Sequence, residues 1–176
     1  DNYAYTAPAS SLRQSWYDGS GDAVKGAEKL PGFTAVYDLP RLQALELSCR
    51  DAIVKRHMAA GVRVMDPSAV YVDPRVEIGA GTTLLPGTIL RGETRIGRSC
   101  EIGPNAMVRD CTVGDETVIN ASQANESTIG CRVKVGPFAY IRPGCTVGDD
   151  IKVGDFVELK NSVIGDGTKI SHLTYV

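Results

Sequence analysis

Excess charge, long apolar runs, paired cysteine motifs and histidines are all scarce in this 176-residue chain. Lys and Arg number 19 against 21 Asp and Glu, giving a net charge of −2 and a pI near 5.7. So balanced a chain carries no global field for nucleic acid or an anionic membrane. No apolar run approaches the roughly 18–20 residues that span a bilayer. The first 35 residues also lack the apolar stretch of a signal peptide. The five cysteines are an odd number and form neither a CxxC pair nor a cysteine–histidine cluster. A reducing, cytoplasmic setting fits best, with the thiols acting as small apolar side chains and no metal expected. The length suits one domain with a real core, or a compact domain plus an arm.

What is abundant is a six-residue clock. From Val72 an aliphatic residue recurs at Ile78, Leu84, Leu90, Ile96, Ile102 and Val108. One five-residue step leads to Val113 and then Ile119, and the clock breaks for ten residues. It resumes at Ile129 and runs through Val135, Ile141, Val147, Val153 and Leu159; another five-residue step gives Ile164, then Ile170 and Val176. Glycine commonly follows the aliphatic, and four positions after it stands a small or β-branched residue such as Thr82, Thr88, Cys100, Thr117 or Cys145. A helix repeats near 3.6 and a strand at 2, so neither explains the period.

Six residues make one short strand and the corner that ends it. Three such sides close a triangular coil of about 18 residues, and coils stack at roughly 4.8 Å. The reading is a parallel β-solenoid over 62–176, with aliphatics on the axis, small residues in the corners and glycine permitting the turn. Scattered sandwich strands would not keep this count. The period leaves the hand of the coil open. The stretch 119–128, INASQANEST, reads as a polar excursion from the coil.

Ahead of the solenoid, residues 38–61 (DLPRLQALELSCRDAIVKRHMAAG) read as an arm helix and its stop. Asp38 caps it, Pro40 is tolerated in the first turn, and Leu42, Leu45, Cys49 and Ile53 form an apolar stripe. Lys55, Arg56 and His57 suit its C-terminal dipole, Gly61 ends it, and His57 reads as a surface residue. Residues 1–37 are unassigned: Tyr3, Tyr5, Trp16 and Tyr17 suit packing, while DGSGD at 18–22 is loop-like.

The GAG at 79–81 and GDGTK at 165–169 fall in phase with the hexads and start no helix, so they are corners and not phosphate loops. Chemistry concentrates elsewhere. Arg142 and Lys160 each follow a clock aliphatic and lie 18 residues apart, which stacks them on adjacent coils of one face. Two like charges so placed repel, and an anion would relieve them; two solvated cations are the alternative. His172 and Tyr175 lie in the same region. A lone histidine is more often structural, but a cationic pair and a phenol nearby make it a candidate.

KRHMAAGVRVMDP (55–67), VGPFAYIRPG (135–144) and VGDFVELKNSVIGDGTKISHLTYV (153–176) carry a resemblance. From about Val36 to Val176 the chain resembles the bifunctional GlmU family, N-acetylglucosamine-1-phosphate uridyltransferase/glucosamine-1-phosphate acetyltransferase. The resemblance is to its C-terminal acetyltransferase part. It implies a left-handed β-helix, a homotrimer with sites between subunits, acetyl-CoA as co-substrate, and a place in UDP-N-acetylglucosamine and cell-wall biosynthesis. It also implies that His172 is the general base for the sugar's 2-amino group, and that Arg142, Lys160 and Tyr175 hold the sugar phosphate. A neutral imidazole and fixed cations suit those tasks.

The pattern departs from the family at both ends. No LAAGxGTRM-like nucleotide loop occurs, so uridylyl transfer is implied by the family name only. The family continues for several coils past HLTY with sugar and acetyl-CoA contacts, so the expectation is a chain with weak or no turnover alone. A trimeric solenoid serving as a scaffold or partner module is the competing reading. A zinc enzyme between solenoid subunits would need about three histidines, and this chain has two.

Overall fold

The computed structural model describes Val36 and residues 38–176. The N-terminal segment 1–37, Val36 apart, lies outside the described residues, and with it the four aromatic residues singled out there. A single helix, α1 (Leu39–Ala59), comes first in the described chain. Asp38 caps it, its Oδ1 accepting the Arg41 N–H at 2.7 Å. From Arg50 onward the chain is one compact unit.

Within that unit the last turns of α1 bury Val54 and His57, 2 % and 6 % exposed. His57 is therefore not the surface residue expected from its place in a basic run. It lies on the same helical face as Ile53 and Val54, which pack on the core, while Arg56 turns outward. Arg56 Nη2 donates to the Pro74 carbonyl at 3.0 Å, and the Arg50 guanidinium lies 5.0 Å from the Tyr71 ring centroid. These contacts fix the end of the helix to the first coil.

Every strand after α1 is two or three residues long, and all of them pair in parallel across three sheets. The coils wind as a left-handed parallel β-helix, the minority hand for parallel crossovers. The first face stacks Arg63–Val64, Thr83–Leu84, Glu101–Ile102, Val118–Ile119, Lys134–Val135, Lys152–Val153 and Lys169–Ile170. The second stacks Tyr71–Val72, Ile89–Arg91, Met107–Arg109, Gln123–Asn125, Tyr140–Ile141 and Glu158–Leu159. The third runs from Glu77–Ile78 to Val163–Ile164. Clock aliphatics fill the axis, with Leu84, Leu90, Ile102, Val108, Ile119, Ile141, Val153 and Leu159 fully enclosed.

The ten-residue break is not an excursion. Ala124 is the missing inward residue, 0 % exposed, paired with Val108 below and Ile141 above. Two five-residue steps, 119 to 124 and 124 to 129, shorten that coil, and its inward position holds a methyl group where the other coils of this face hold Val, Leu or Ile. A search for large aliphatics passes over it.

The corner residues do more than fit. Thr117 Oγ1 donates to the Gly130 carbonyl at 2.8 Å and accepts the Val133 N–H at 3.1 Å. Ser122 plays the same part between the Asn120 carbonyl and the Ala139 N–H, at 2.7 and 3.0 Å. Ser127 does so between the Asn125 carbonyl and the Cys145 N–H, at 2.8 and 3.2 Å. Each hydroxyl satisfies a buried N–H that the short strands leave over.

Of the glycines after a clock aliphatic, Gly103 and Gly136 take the expected left-handed turn conformation, at φ 111° and 95°, but others have a different cause. Gly97 and Gly114 are not in the left-handed region; the residues two places on are, Ser99 at φ 55° and Glu116 at φ 58°. A Cβ on Gly114 would stand 2.6 Å from the Gly130 carbonyl carbon of the next coil. Close approach of backbones excludes the side chain.

Burial holds the His57 imidazole below the ordinary histidine pKa, and the Arg56 charge adds to the effect. The folded state then binds fewer protons than the unfolded chain as pH falls below the ordinary value near 6.5. His57's contribution is whole above that value and is lost as pH drops toward its lowered folded value. Urea titrations at pH 7.5 and pH 5 should show a loss of stability on acidification that shrinks in His57→Gln. An unchanged pH dependence in the variant would refute this role.

Candidate functional site

The second face, one column of outward side chains per strand position, collects the candidate residues. In its last coils Tyr140 lies opposite Glu158, and Glu158 opposite Tyr175. One position past the inward Ile141 and Leu159 come Arg142 and Lys160. The Arg142 N–H donates to the Leu159 carbonyl at 2.9 Å, and the Lys160 N–H to the Val176 carbonyl at 2.8 Å. The two cations therefore leave equivalent points of successive coils.

Their side chains are not equivalent. Arg142 Nη1 donates to Glu158 Oε1 at 2.8 Å, each side chain little more than a third exposed. This hydrogen bond holds the guanidinium still more firmly protonated, with the charge of Glu158 adding to it and desolvation opposing. The premise of two uncompensated cations thus needs correction, because Glu158 already balances Arg142. Lys160 has no carboxylate within ion-pair distance among the described residues.

Glu158 escaped the reading of the sequence although the signal was present. It precedes a clock aliphatic, so it points outward, and it is the cross-strand neighbour of Tyr140, two residues before Arg142. A diagonal of opposite charges on one face is what a ladder favours. Tyr140 is fixed in turn: its hydroxyl accepts from Asn125 Nδ2 at 3.2 Å, and Asn125 is 7 % exposed.

Tyr175 stands on the face itself, opposite Glu158 and 64 % exposed. His172 stands outside the face, in the corner segment between Lys169–Ile170 and Tyr175, with an exposed side chain. Its carbonyl accepts from Thr174 Oγ1 at 3.1 Å, and the following Leu173, at φ 55°, donates its N–H to the Asp155 carbonyl at 3.1 Å. Arg142, Glu158 and Tyr175 are thus brought together, with Lys160 past one edge of the face and His172 before the other. Five extended residues at roughly 3.3 Å each bound the backbone separation of the two edges at about 16 Å.

The family described as the GMPPB C-terminal domain matches residues 64–175. The chain belongs to that family. It is similar to the Bifunctional protein GlmU of Geobacillus sp. (strain WCH70), 41 % identical over 160 residues that make up 89 % of this chain and 35 % of that protein. The GlmU of Acetivibrio thermocellus is 51 % identical over 127 residues, 72 % of this chain and 28 % of the relative. That of Mycobacterium sp. (strain KMS) is 46 % identical over 141 residues, 80 % and 28 % respectively. The resemblance to GlmU is borne out, and the chain spans about a third of the length of these relatives.

Solved structures support the fold. The acetyltransferase domain of PglB from Neisseria gonorrhoeae FA1090 superposes with a TM-score of 0.58 at 20 % identity, over 72 % of this chain and 63 % of that one. A mutant GDP-perosamine N-acetyl transferase from Caulobacter crescentus, in complex with CoA and GDP-perosamine, gives 0.59 at 23 % identity, over 76 % and 70 %.

Both partners of the Arg142–Glu158 pair are open to solvent, which screens the pair, so its worth to the fold is small. Glu158→Gln should therefore leave the urea unfolding midpoint close to that of wild type. A large fall in the midpoint would make the pair a structural brace instead of part of a site.

Proposed function

We propose that the column of Arg142, Lys160 and Tyr175, with His172 at its edge, is the sugar-phosphate half of an acetyltransferase site. The substrate is glucosamine-1-phosphate and the co-substrate acetyl-CoA, in cytoplasmic synthesis of UDP-N-acetylglucosamine for the cell wall. The observation that supports this most is the stacking of Arg142 and Lys160 on adjacent coils, beside Tyr175.

The roles follow from chemistry. Lys160 offers an uncompensated ammonium to the phosphate, and Arg142 offers the guanidinium N–H groups that Glu158 leaves unused. Glu158 is a positioning residue: it fixes the guanidinium and trims the net positive charge of the column. Tyr175 supplies a phenol hydroxyl to the sugar or its phosphate. His172, neutral, accepts a proton from the 2-amino group as its nitrogen attacks the acetyl carbonyl carbon. The carbon–sulfur bond then breaks, and the sulfur leaves as the coenzyme thiol once protonated. These assignments cover the sugar phosphate and the proton, not the thioester. The proposal is sugar-phosphate binding by this column, in a homotrimer whose neighbouring subunit completes the site.

The second reading, a solenoid serving only as scaffold, is favoured by one observation: Arg142 is already neutralised by Glu158. Calorimetry separates the two. Glucosamine-1-phosphate should bind the wild-type chain, and Arg142→Ala and Lys160→Ala should each weaken it by about tenfold, the equivalent of about 1.4 kcal/mol. Affinity unchanged in both variants, or no binding to the wild type, would favour the scaffold.

A further inference from the structure

The first face carries a different charge pattern. Lys134, Lys152 and Lys169 stand in direct register on three successive coils, Lys134 opposite Lys152 and Lys152 opposite Lys169. All three are exposed. With coils roughly 4.8 Å apart, three ammonium groups spring from a line about 10 Å long.

Elsewhere on the solenoid, arginines are set against carboxylates of a neighbouring coil. Arg75 meets Glu93 at 3.0 Å, Arg109 meets Glu126 at 2.9 Å and Arg132 meets Asp150 at 2.7 Å. Among the described residues none of the three lysines has a carboxylate within ion-pair distance. The acidic side chains at the preceding corner are already engaged. Asp149 Oδ1 accepts the Cys131 N–H at 2.8 Å and Asp166 Oδ1 the Asp149 N–H at 2.8 Å, while Asp150 takes two bonds from Arg132. Like charges directly opposite on a ladder are unfavourable, and here the register repeats the conflict on the next coil.

We infer that this lysine column is a binding site for an oligophosphate anion, separate from the Arg142–Lys160 column on the second face. The geometry selects the class. Three point charges within about 10 Å suit one compact ligand of several charges, and a lysine ammonium is a common phosphate donor. A duplex needs more phosphate contacts than this column supplies, and the chain as a whole is not basic. An acidic strand places same-side carboxylates about 6.6 Å apart, a poorer match to the 4.8 Å ladder.

The test is calorimetric titration of the full chain with inorganic tripolyphosphate. Wild type should bind, more weakly as salt rises from about 50 to about 200 mM. Lys152→Gln should weaken binding by about fivefold, and the triple Lys134→Gln/Lys152→Gln/Lys169→Gln should abolish it. Lys55→Gln, on α1 and paired with Asp51 at 2.8 Å, should leave binding unchanged. Thermal melting of the triple variant should be no lower than that of wild type, since the lysines are exposed and the change removes their mutual repulsion. Four results would overturn the inference: no binding by wild type, retained binding in the triple variant, loss on Arg142→Ala instead, or tighter binding of an oligoglutamate peptide. A fall in sedimentation mass in the triple variant would also overturn it, by assigning the face to contact with a second copy.

Discussion

Everything on the outside of this molecule is placed by the register of parallel strands across its coils. A side chain stands beside whatever lies one circuit away, and a circuit is 18 residues where the clock is regular and 17 or 16 where it is shortened, as between Glu158 and Tyr175 or Val108 and Ala124. The inward aliphatics enforce that register, because a slip of one residue would turn the whole inward row to solvent. Corner hydroxyls enforce it again, each bound both to a carbonyl and to an N–H of the coil above. The strands are too short to hold a register alone; buried rows and corner bonds do so together.

The legible part of the sequence was the part governed by repetition. The solenoid, the inward row and the alignment of Arg142 with Lys160 all follow from counting by six. Ala124 did not, since a shortened coil changes both the step and the size of residue it accepts. His57 was hidden by its neighbours: Lys55 and Arg56 make the stretch look solvated, yet the helix turns the imidazole toward Val54 and the core. The glycines have two causes: Gly103 and Gly136 take the left-handed turn conformation, while Gly97 and Gly114 are constrained by the next coil's backbone and not by their own φ. Such contacts join residues 16 to 18 apart, beyond any local pattern.

Charge on the three faces is the less legible half. The pairing of Arg142 with Glu158 depends on rotamers as well as register, so a column that reads as two bare cations becomes one bare cation beside an ion pair. The lysines of the first face are the reverse case. Each is unremarkable within its own hexad, and only the stacking shows three of them in line without a carboxylate. The geometry thus separates cations the protein has neutralised from cations it has left available.

The central claim is that residues 142 and 160 are neighbours across adjacent coils. Adjacent strands place Cα atoms roughly 4.8 Å apart, inside the range of about 4.4–6.8 Å that a disulfide spans. An Arg142→Cys/Lys160→Cys chain should form that cross-link under mild oxidation, identified by peptide mapping with the fold retained. Absence of the bridge, or pairing of either engineered thiol with a cysteine elsewhere in the chain, would contradict the register and every placement that depends on it.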